Sequence, residues 1–196
     1  MRIELSEHQI ERLQLHCDLI EKWNKAFNLV SRKDISRLAA RHVLDSLCGV
    51  SMLHGTRVLD LGSGAGLPGI PLAVAAPTIN FTLCDRSARR VRFLRQAIAT
   101  LELSNVELWQ GDFPGQVPGD VRFDTIVARA VATASAVWDM VRGHLQADGR
   151  VLVYESTKMS VGEDSGGHEH GFRATRNSFN IPGLEEAHSI VCLERS

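Results

Sequence analysis

Asp60, Gly62, Gly64, Gly66 and Asp85 are the residues of this chain whose types and spacing carry chemistry. The run Arg57-Val-Leu-Asp-Leu-Gly-Ser-Gly-Ala-Gly-Leu-Pro-Gly69 brings an apolar stretch to an acid and follows it with alternating glycines. Glycines so placed let the backbone turn sharply and approach a ligand more closely than a Cβ allows. A dinucleotide fingerprint spaces its glycines G-x-G-x-x-G to seat a pyrophosphate on a helix N-terminus. Here the spacing is G-x-G-x-G, and Asp60, two residues ahead of it, repels a pyrophosphate but attracts a cation. Asn80-Phe-Thr-Leu-Cys-Asp85 is a second apolar run closing on a carboxylate, placed to accept both hydroxyls of a ribose. The ligand that fits these groups is S-adenosylmethionine, with its sulfonium, ammonium and neutral ribose. A nicotinamide dinucleotide site and a ligand-free structural turn are the competing readings of the same glycines.

Such a site needs strands that end at it. Apolar, β-branched runs predict strands near 56–61, 79–84, 105–110, 123–128 and 149–154, with helices near 68–76, 87–101 and 133–145 between most of them. That alternation is the pattern of a doubly wound parallel sheet. Asp112 to Gly119, with two prolines and two glycines, reads as a loop. After Thr157 the chain changes character: 160–171 is glycine-rich and charged, a loop, and Phe172–Asn180 and His188–Glu194 read as two strands joined through Pro182-Gly183. The expected fold is α/β, a Rossmann-like seven-stranded sheet with its last strand antiparallel, the class I S-adenosylmethionine-dependent methyltransferase fold.

Ahead of the sheet, Ile10, Leu13, Cys17, Ile20, Trp23 and Phe27 recur at helical spacing, with Ser6 and Gln9 positioned as a capping box. A second helix is expected from Asp34 to about Leu47, burying Ile35, Leu38, Val43 and Leu47. With 196 residues the chain suits a single domain, N-terminal helices over 1–50 and a cofactor-binding core over 51–196. The formal net charge of −1 gives no global signal for nucleic acid, so RNA contacts must come from local basic patches. Cys17, Cys48, Cys84 and Cys192 are widely spaced, which suits reduced thiols. The first residues mix charges with no apolar signal core, and no run is long enough to span a membrane, so a cytoplasmic protein is expected.

Further segments carry a family likeness: Lys22-Trp-Asn-Lys-Ala-Phe-Asn-Leu-Val-Ser31, Arg41-His-Val-Leu-Asp-Ser46, the glycine loop through Pro71, Arg90-Val-Arg-Phe-Leu-Arg95 and Phe123-Asp-Thr-Ile-Val-Ala-Arg-Ala130. On these the chain resembles the small-subunit ribosomal RNA guanine-N7 methyltransferases, also called glucose-inhibited division protein B. The resemblance implies a cytoplasmic enzyme that methylates N7 of a guanosine in the decoding region of 16S RNA; the expected partner is 16S RNA within a small ribosomal subunit or its precursor, and a monomer is expected. It implies that Gly62 and Leu67 lie against the cofactor, that Phe113 and Pro114 flank the adenine, and that Arg129 stands at the edge between cofactor and substrate. Asp112 matches the wider methyltransferase pattern of an acid that accepts the adenine amino group. Two positions depart from the family. Asp112 and Pro114 stand where relatives usually carry an arginine and a glutamate, and Tyr154-Glu155-Ser156 replaces the usual Leu-Lys-Gly at the end of the fifth strand, reversing a charge.

Guanine N7 has an in-plane lone pair and no proton, so methyl transfer to it needs alignment rather than a general base, and no catalytic acid–base residue is assigned. Glu155 is a candidate to face the cationic product base. For RNA there are two patches: Arg32, Lys33, Arg37, Arg41 and His42, and Arg86, Arg89, Arg90, Arg92 and Arg95, the latter on a helix whose buried stripe is Val91, Leu94, Ile98 and Leu101. Of these, Arg32, Lys33, Arg41 and His42, with Arg129, are the substrate candidates, and a solvated helix face is the plain alternative for the second patch. His168 and His170 read as exposed polar residues and no metal site is expected. Trp23, Phe27 and Trp109 read as core. A divergent paralogue acting on a small molecule or protein, and a non-catalytic RNA-binding scaffold, are the alternative functions.

Overall fold

The computed structural model describes residues 3–31, 35–115, 120–155, 171–181, 184 and 188–196. Seven strands form one sheet in the order β3-β2-β1-β4-β5-β7-β6: β1 (Arg57–Leu61), β2 (Asn80–Asp85), β3 (Val106–Gln110), β4 (Phe123–Arg129), β5 (Leu145–Glu155), β6 (Phe172–Phe179) and β7 (His188–Arg195). Strands β1 to β5 pair in parallel, and β7 runs antiparallel between β5 and β6, as the sequence predicts. Val58, Leu59, Leu83, Ile126, Val127, Val151 and Leu152 are fully buried, the mark of central strands covered on both faces. The covering helices are α3 (Gly69–Ala75), α4 (Ala88–Thr100) and α5 (Ala134–Val141). On α4 the expected stripe turns inward through Val91, Leu94 and Leu101, joined by Phe93, while Ile98 is half-buried. Chain order reverses between β1 and β4, so a crevice opens where their C-terminal ends diverge.

The N-terminal helix α1 (Glu7–Asn24) begins with the expected capping box: Gln9 N donates to Ser6 Oγ at 3.3 Å and Ser6 N donates to Gln9 Oε1 at 2.9 Å. Leu13 and Ile20 of the predicted stripe turn inward and Cys17 and Trp23 pack partly buried against the core, but the stripe does not hold throughout. Ile10 is 43% exposed, and the inward positions are Leu13, His16 and Ile20. His16 is fully buried against the glycine loop, its Nε2 2.9 Å from Ala65 O and its ring stacked on Phe93. Burial lowers its pKa to about 4, so the ring is neutral at pH 7.

The single helix expected over Asp34–Leu47 is instead three joined pieces, with Asp34 outside the described residues. A 3-10 turn covers Ile35–Arg37, a π-helical stretch Ala39–Leu44, and α2 Asp45–Leu47. A π stretch fits extra residues into a turn, which rotates the helical residues beyond it. Leu38, Val43 and Leu47 still reach the apolar core while Asp45 points at the sheet, but Ile35 is only half-buried. Tyr154 at the end of β5 donates to Ser46 O at 2.8 Å, fixing α2 over the strand ends. Gly49 makes that approach possible, since a Cβ there would lie 2.0 Å from Tyr154 Oη. Helix α5 stops at Val141, short of the predicted 145, because Arg142–His144 tighten into a 3-10 turn that leads straight into β5 at Leu145.

Candidate cofactor and substrate site

A cavity of about 570 Å³ occupies the crevice. Its floor is the glycine loop, Leu61 to Ala65 with Leu67, and its sides come from strand ends: Cys84 and Asp85 from β2, Gly111 to Phe113 after β3, Arg129 to Val131 from β4. Gly62, Gly64 and Gly66 all have positive φ (+69°, +58° and +75°), a conformation that costs other residues strain. At Gly64, which faces the cavity, the closest atom a Cβ would meet is Gly62 O at 3.7 Å, so a side chain there would project toward open space.

Asp85 organises the second side. Its Oδ2 accepts from Gly64 N at 2.9 Å and Arg90 Nη1 at 3.4 Å, and its Oδ1 accepts from Ser87 N at 2.8 Å. A carboxylate offers about four acceptor sites, so three protein donors leave about one, and the long Arg90 contact is the most readily exchanged. Asp112 is exposed beside Arg86, 3.9 Å away, and Phe113 is half-buried with its ring edge on His144. Both line the cavity, whereas Pro114, next to Phe113, is exposed and does not.

Asp60 sits behind the wall rather than on it. It is fully buried, and its Oδ2 accepts from Gly69 N at 3.1 Å, at the start of α3. Burial raises its pKa to about 7, partly offset by that amide and by the Arg129 charge. The strand-ending acid thus holds the glycine loop and helix start together, and any attraction it exerts on a cationic ligand acts through the loop. Gly66 is likewise buried beneath the loop.

Arg129 ends β4 beside Tyr154 and lines the cavity with its side chain 17% exposed. Its Nη1 lies 3.6 Å from Asp45 Oδ2 and has no hydrogen-bond acceptor among the described residues. Burial lowers its pKa, and the Asp45 and Asp60 charges oppose that change. The buried cation, the open glycine cradle and the Asp85 acceptor form a donor set that fits a zwitterionic amino acid joined to a nucleoside.

The fourth side comes from the N-terminal extension: Leu29, Val30, Ser31 and His42. Asn24 Oδ1 accepts from Leu29 N at 2.6 Å and Val30 N at 3.0 Å, folding the segment after α1 back over the cavity. Sequence reasoning assigned none of Leu29, Val30, Ser31, Val131 or Met140 to the site, although the Trp-Asn-Lys-Ala-Phe-Asn-Leu-Val-Ser segment that carries the family likeness contains three of them. Of the first basic patch, His42 reaches the cavity, Arg41 is half-buried outside it, Arg37 is exposed, and Arg32 and Lys33 lie outside the described residues. On α4, Arg92 and Arg95 are exposed and Arg89 lies over the Phe27 ring, 5.4 Å from its centroid. Trp23 packs on Phe27 and Phe93, and Trp109 on Phe123, as core residues.

Glu155 does not line the cavity. Its carboxylate, 5% exposed, accepts from Arg176 on β6 and from Ser189 Oγ at 2.8 Å. This corrects its candidacy for facing the target base, because its charge is consumed between strands. His168 and His170 fall outside the described residues, and among those described no cluster of three or more His, Cys, Asp or Glu gathers. The four cysteines are free. No helix among the described residues is long and apolar enough to cross a membrane.

The family model described as rRNA small subunit methyltransferase G matches residues 9–166. The chain belongs to that family. The protein named ribosomal RNA small subunit methyltransferase G from Shigella flexneri is 43% identical over 142 residues, covering 71% of this chain and 65% of its own length. The one from Enterobacter sp. (strain 638) is 44% identical over 154 residues, 76% of this chain and 71% of that protein. The chain thus spans about two thirds of the length of these curated relatives. Among solved structures, the glycopeptide N-methyltransferase MtfA complexed with S-adenosyl-L-homocysteine matches with a TM-score of 0.63 at 16% identity, covering 80% of this chain and 88% of that one. A SAM-dependent methyltransferase from Aquifex aeolicus matches with a TM-score of 0.59 at 15% identity, covering 81% and 92%. At these identities the likeness is one of fold, and the fold of this methyltransferase G family member is that of the class I S-adenosylmethionine-dependent methyltransferases.

Proposed function

We propose that the chain transfers a methyl group from S-adenosylmethionine to N7 of a guanosine in the decoding region of 16S ribosomal RNA. The observation that carries the reading is the cavity itself, a glycine cradle with an acid at the end of β2 and a buried arginine at the end of β4, in a member of the rRNA small subunit methyltransferase G family. Strand order arranges the roles. Asp112 and Phe113 after β3 meet the adenine end, Asp85 at the end of β2 accepts the ribose, and Gly62, Gly64 and Leu67 pass beneath the amino-acid end beside Arg129, with Asp60 and Gly66 holding that loop from behind.

When bound, S-adenosylmethionine supplies a methyl group on a positively charged sulfur, a leaving group that needs no further activation. The residues of the chain have the task of alignment. Guanine N7 carries no proton, so none must be removed, and a site built without a dedicated general base suits that substrate. Leu29, Val30, Val131 and Met140 contribute apolar lining to the cavity, and a fixed approach of the two substrates there is worth several kcal/mol. In this reading His42, at the cavity, and Arg41, beside it in sequence, are the RNA contacts of the extension, and Arg32 and Lys33 continue the same basic run in sequence. The exposed Arg92 and Arg95 on α4 supply a second electrostatic contact for phosphates. The proposed setting is the cytoplasm, with a monomeric enzyme on a small ribosomal subunit or its precursor.

The test is transfer of labelled methyl from S-adenosylmethionine to unmodified small ribosomal subunits, followed by nucleoside mass spectrometry. The expected product is 7-methylguanosine. Cofactor binding without that product on subunits or naked 16S RNA would overturn the substrate assignment, and no cofactor binding would overturn the whole reading.

A further inference from the structure

Behind the cavity wall lies a buried cluster of charged groups from three parts of the chain. Asp45 on α2 is 6% exposed and His188 at the start of β7 is 8% exposed. His188 Nδ1 lies 3.0 Å from Asp45 Oδ1, and the other oxygen of the same carboxylate, Oδ2, lies 3.6 Å from Arg129 Nη1. A carboxylate only accepts, so Nδ1 carries the proton in the imidazole pair. Asp45 is therefore held at one oxygen and faces the guanidinium with the other. Taking a carboxylate out of water is costly unless it is paired and hydrogen-bonded, and here both requirements are met by groups from distant segments.

We propose that Asp45 and His188 are positioning residues for Arg129, holding the Nη1 side of its guanidinium so that the rest of the group meets the carboxylate of the amino-acid part of the cofactor. The inference rests on the cofactor reading above. Three observations support it. Arg129 lines the cavity with a side chain 17% exposed, while its Nη1 is buried on the side turned to Asp45 Oδ2, 3.6 Å away. A long flexible side chain holds one direction in such a place only when something fixes it, and Asp45 is the carboxylate in contact. Asp45 is in turn fixed from outside the site by His188, so that the sheet and the helical extension meet at this pair, close to where Tyr154 Oη donates to Ser46 O. The sheet order then selects the ligand group: with ribose at β2 and adenine at β3, the strand on the far side of β1 faces the amino-acid end.

The experiment compares two ligands by calorimetry, S-adenosylhomocysteine, which has the amino-acid part, and 5′-methylthioadenosine, which lacks it. For Asp45→Asn and His188→Leu, the affinity ratio between the two falls about tenfold or more, because a charge-assisted contact is misaligned, while 5′-methylthioadenosine affinity is kept. His188→Asn, whose amide can donate to Asp45 from nearly the same place, retains most of the wild-type ratio. Equal loss of both ligands in the variants would make the pair a structural anchor and overturn the inference, as would an unchanged ratio in folded Asp45→Asn. A ratio that holds while RNA binding weakens would assign the Arg129 guanidinium to a phosphate or base oxygen of the substrate, which also overturns it. Failure of the wild-type chain to bind either ligand would be the failure of the cofactor reading itself.

Discussion

Replacing Asp60 by asparagine should make the protein more stable at neutral pH, and the size of the gain follows from burial. Asp60 has no solvent exposure, and its pKa stands at about 7 instead of near 3.8, chiefly because burial penalises the charged form. An acid raised in this way binds its proton more tightly folded than unfolded, so stability falls as pH climbs from about 4 to about 7 and the full penalty is present above that window. At about 1.4 kcal/mol for each pH unit between the two values, the penalty is about 4 kcal/mol, a large share of the ~5–15 kcal/mol of a typical domain. Asparagine keeps an oxygen for Gly69 N and carries no charge to desolvate. The assay is urea unfolding of both proteins at pH 4, 6 and 8. His16, lowered to about 4, produces the opposite trend, stability lost as pH falls from about 6.5 to about 4, but it is present in both proteins and cancels in their difference. The expected difference is near zero at pH 4 and grows to several kcal/mol in favour of Asp60→Asn at pH 8. A difference that is independent of pH, or a variant less stable at pH 8, would refute the reasoning and mean that the ionised carboxylate is compensated inside the fold.

Gly49→Ala places a Cβ 2.0 Å from Tyr154 Oη, and overpacking of this kind should cost about 1–3 kcal/mol in chemical denaturation. Tyr154→Phe in the same chain removes the clashing oxygen, so the double variant should lose less than the sum of the singles, and strict additivity would show that the clash is not the cause. Gly64→Val, at φ +58° and facing the cavity, should abolish S-adenosylhomocysteine binding while the protein still unfolds cooperatively; wild-type affinity in calorimetry would remove the glycine loop from the site. Changing Arg92 and Arg95 to glutamine should weaken binding to 16S RNA and lower the slope of log affinity against log salt by about one for each phosphate no longer neutralised, whereas an unchanged slope would mark that face of α4 as solvated only.

The strands around the glycine loop were legible because their apolar runs stop on residues with a different job: Asp60 and Asp85 close the runs of β1 and β2, and Arg129 ends β4. The Ser6–Gln9 capping box was equally readable, since it depends on residues three apart. Long-range pairing was not. Nothing near His16 marks it as buried, because its position depends on Ala65 and Phe93, and the regular spacing of Ile10 gave no sign that α1 would be rotated away from it. The π-helical turn before Asp45 has the composition of ordinary helix and arises where α2 must meet the strand ends. Asp45 belonged to a segment recognised for its family likeness, but its partner His188 comes from 143 residues away, a separation beyond the reach of local periodicity.

Glu155 shows how a charge that stands near the site in sequence can be kept out of it by the fold. Along the sequence, Glu155 places a negative charge at the end of β5, where neighbouring strand ends form the cavity. In the fold that carboxylate is nearly buried and held by Arg176 and Ser189, so its charge is balanced across the β5–β7–β6 edge. A nearly buried carboxylate needs such a partner, and Arg176 on β6 is sequence outside the recognisable segments, in the part of the chain beyond the end of the family match at 166. The charges left facing the cavity are then Asp85 and Asp112 on the nucleoside side and Arg86, Arg90 and Arg129 around them. The acid at 155 and the arginine at 176 act as one ion pair at the sheet edge, and the electrostatics of the crevice are set by the residues that line it.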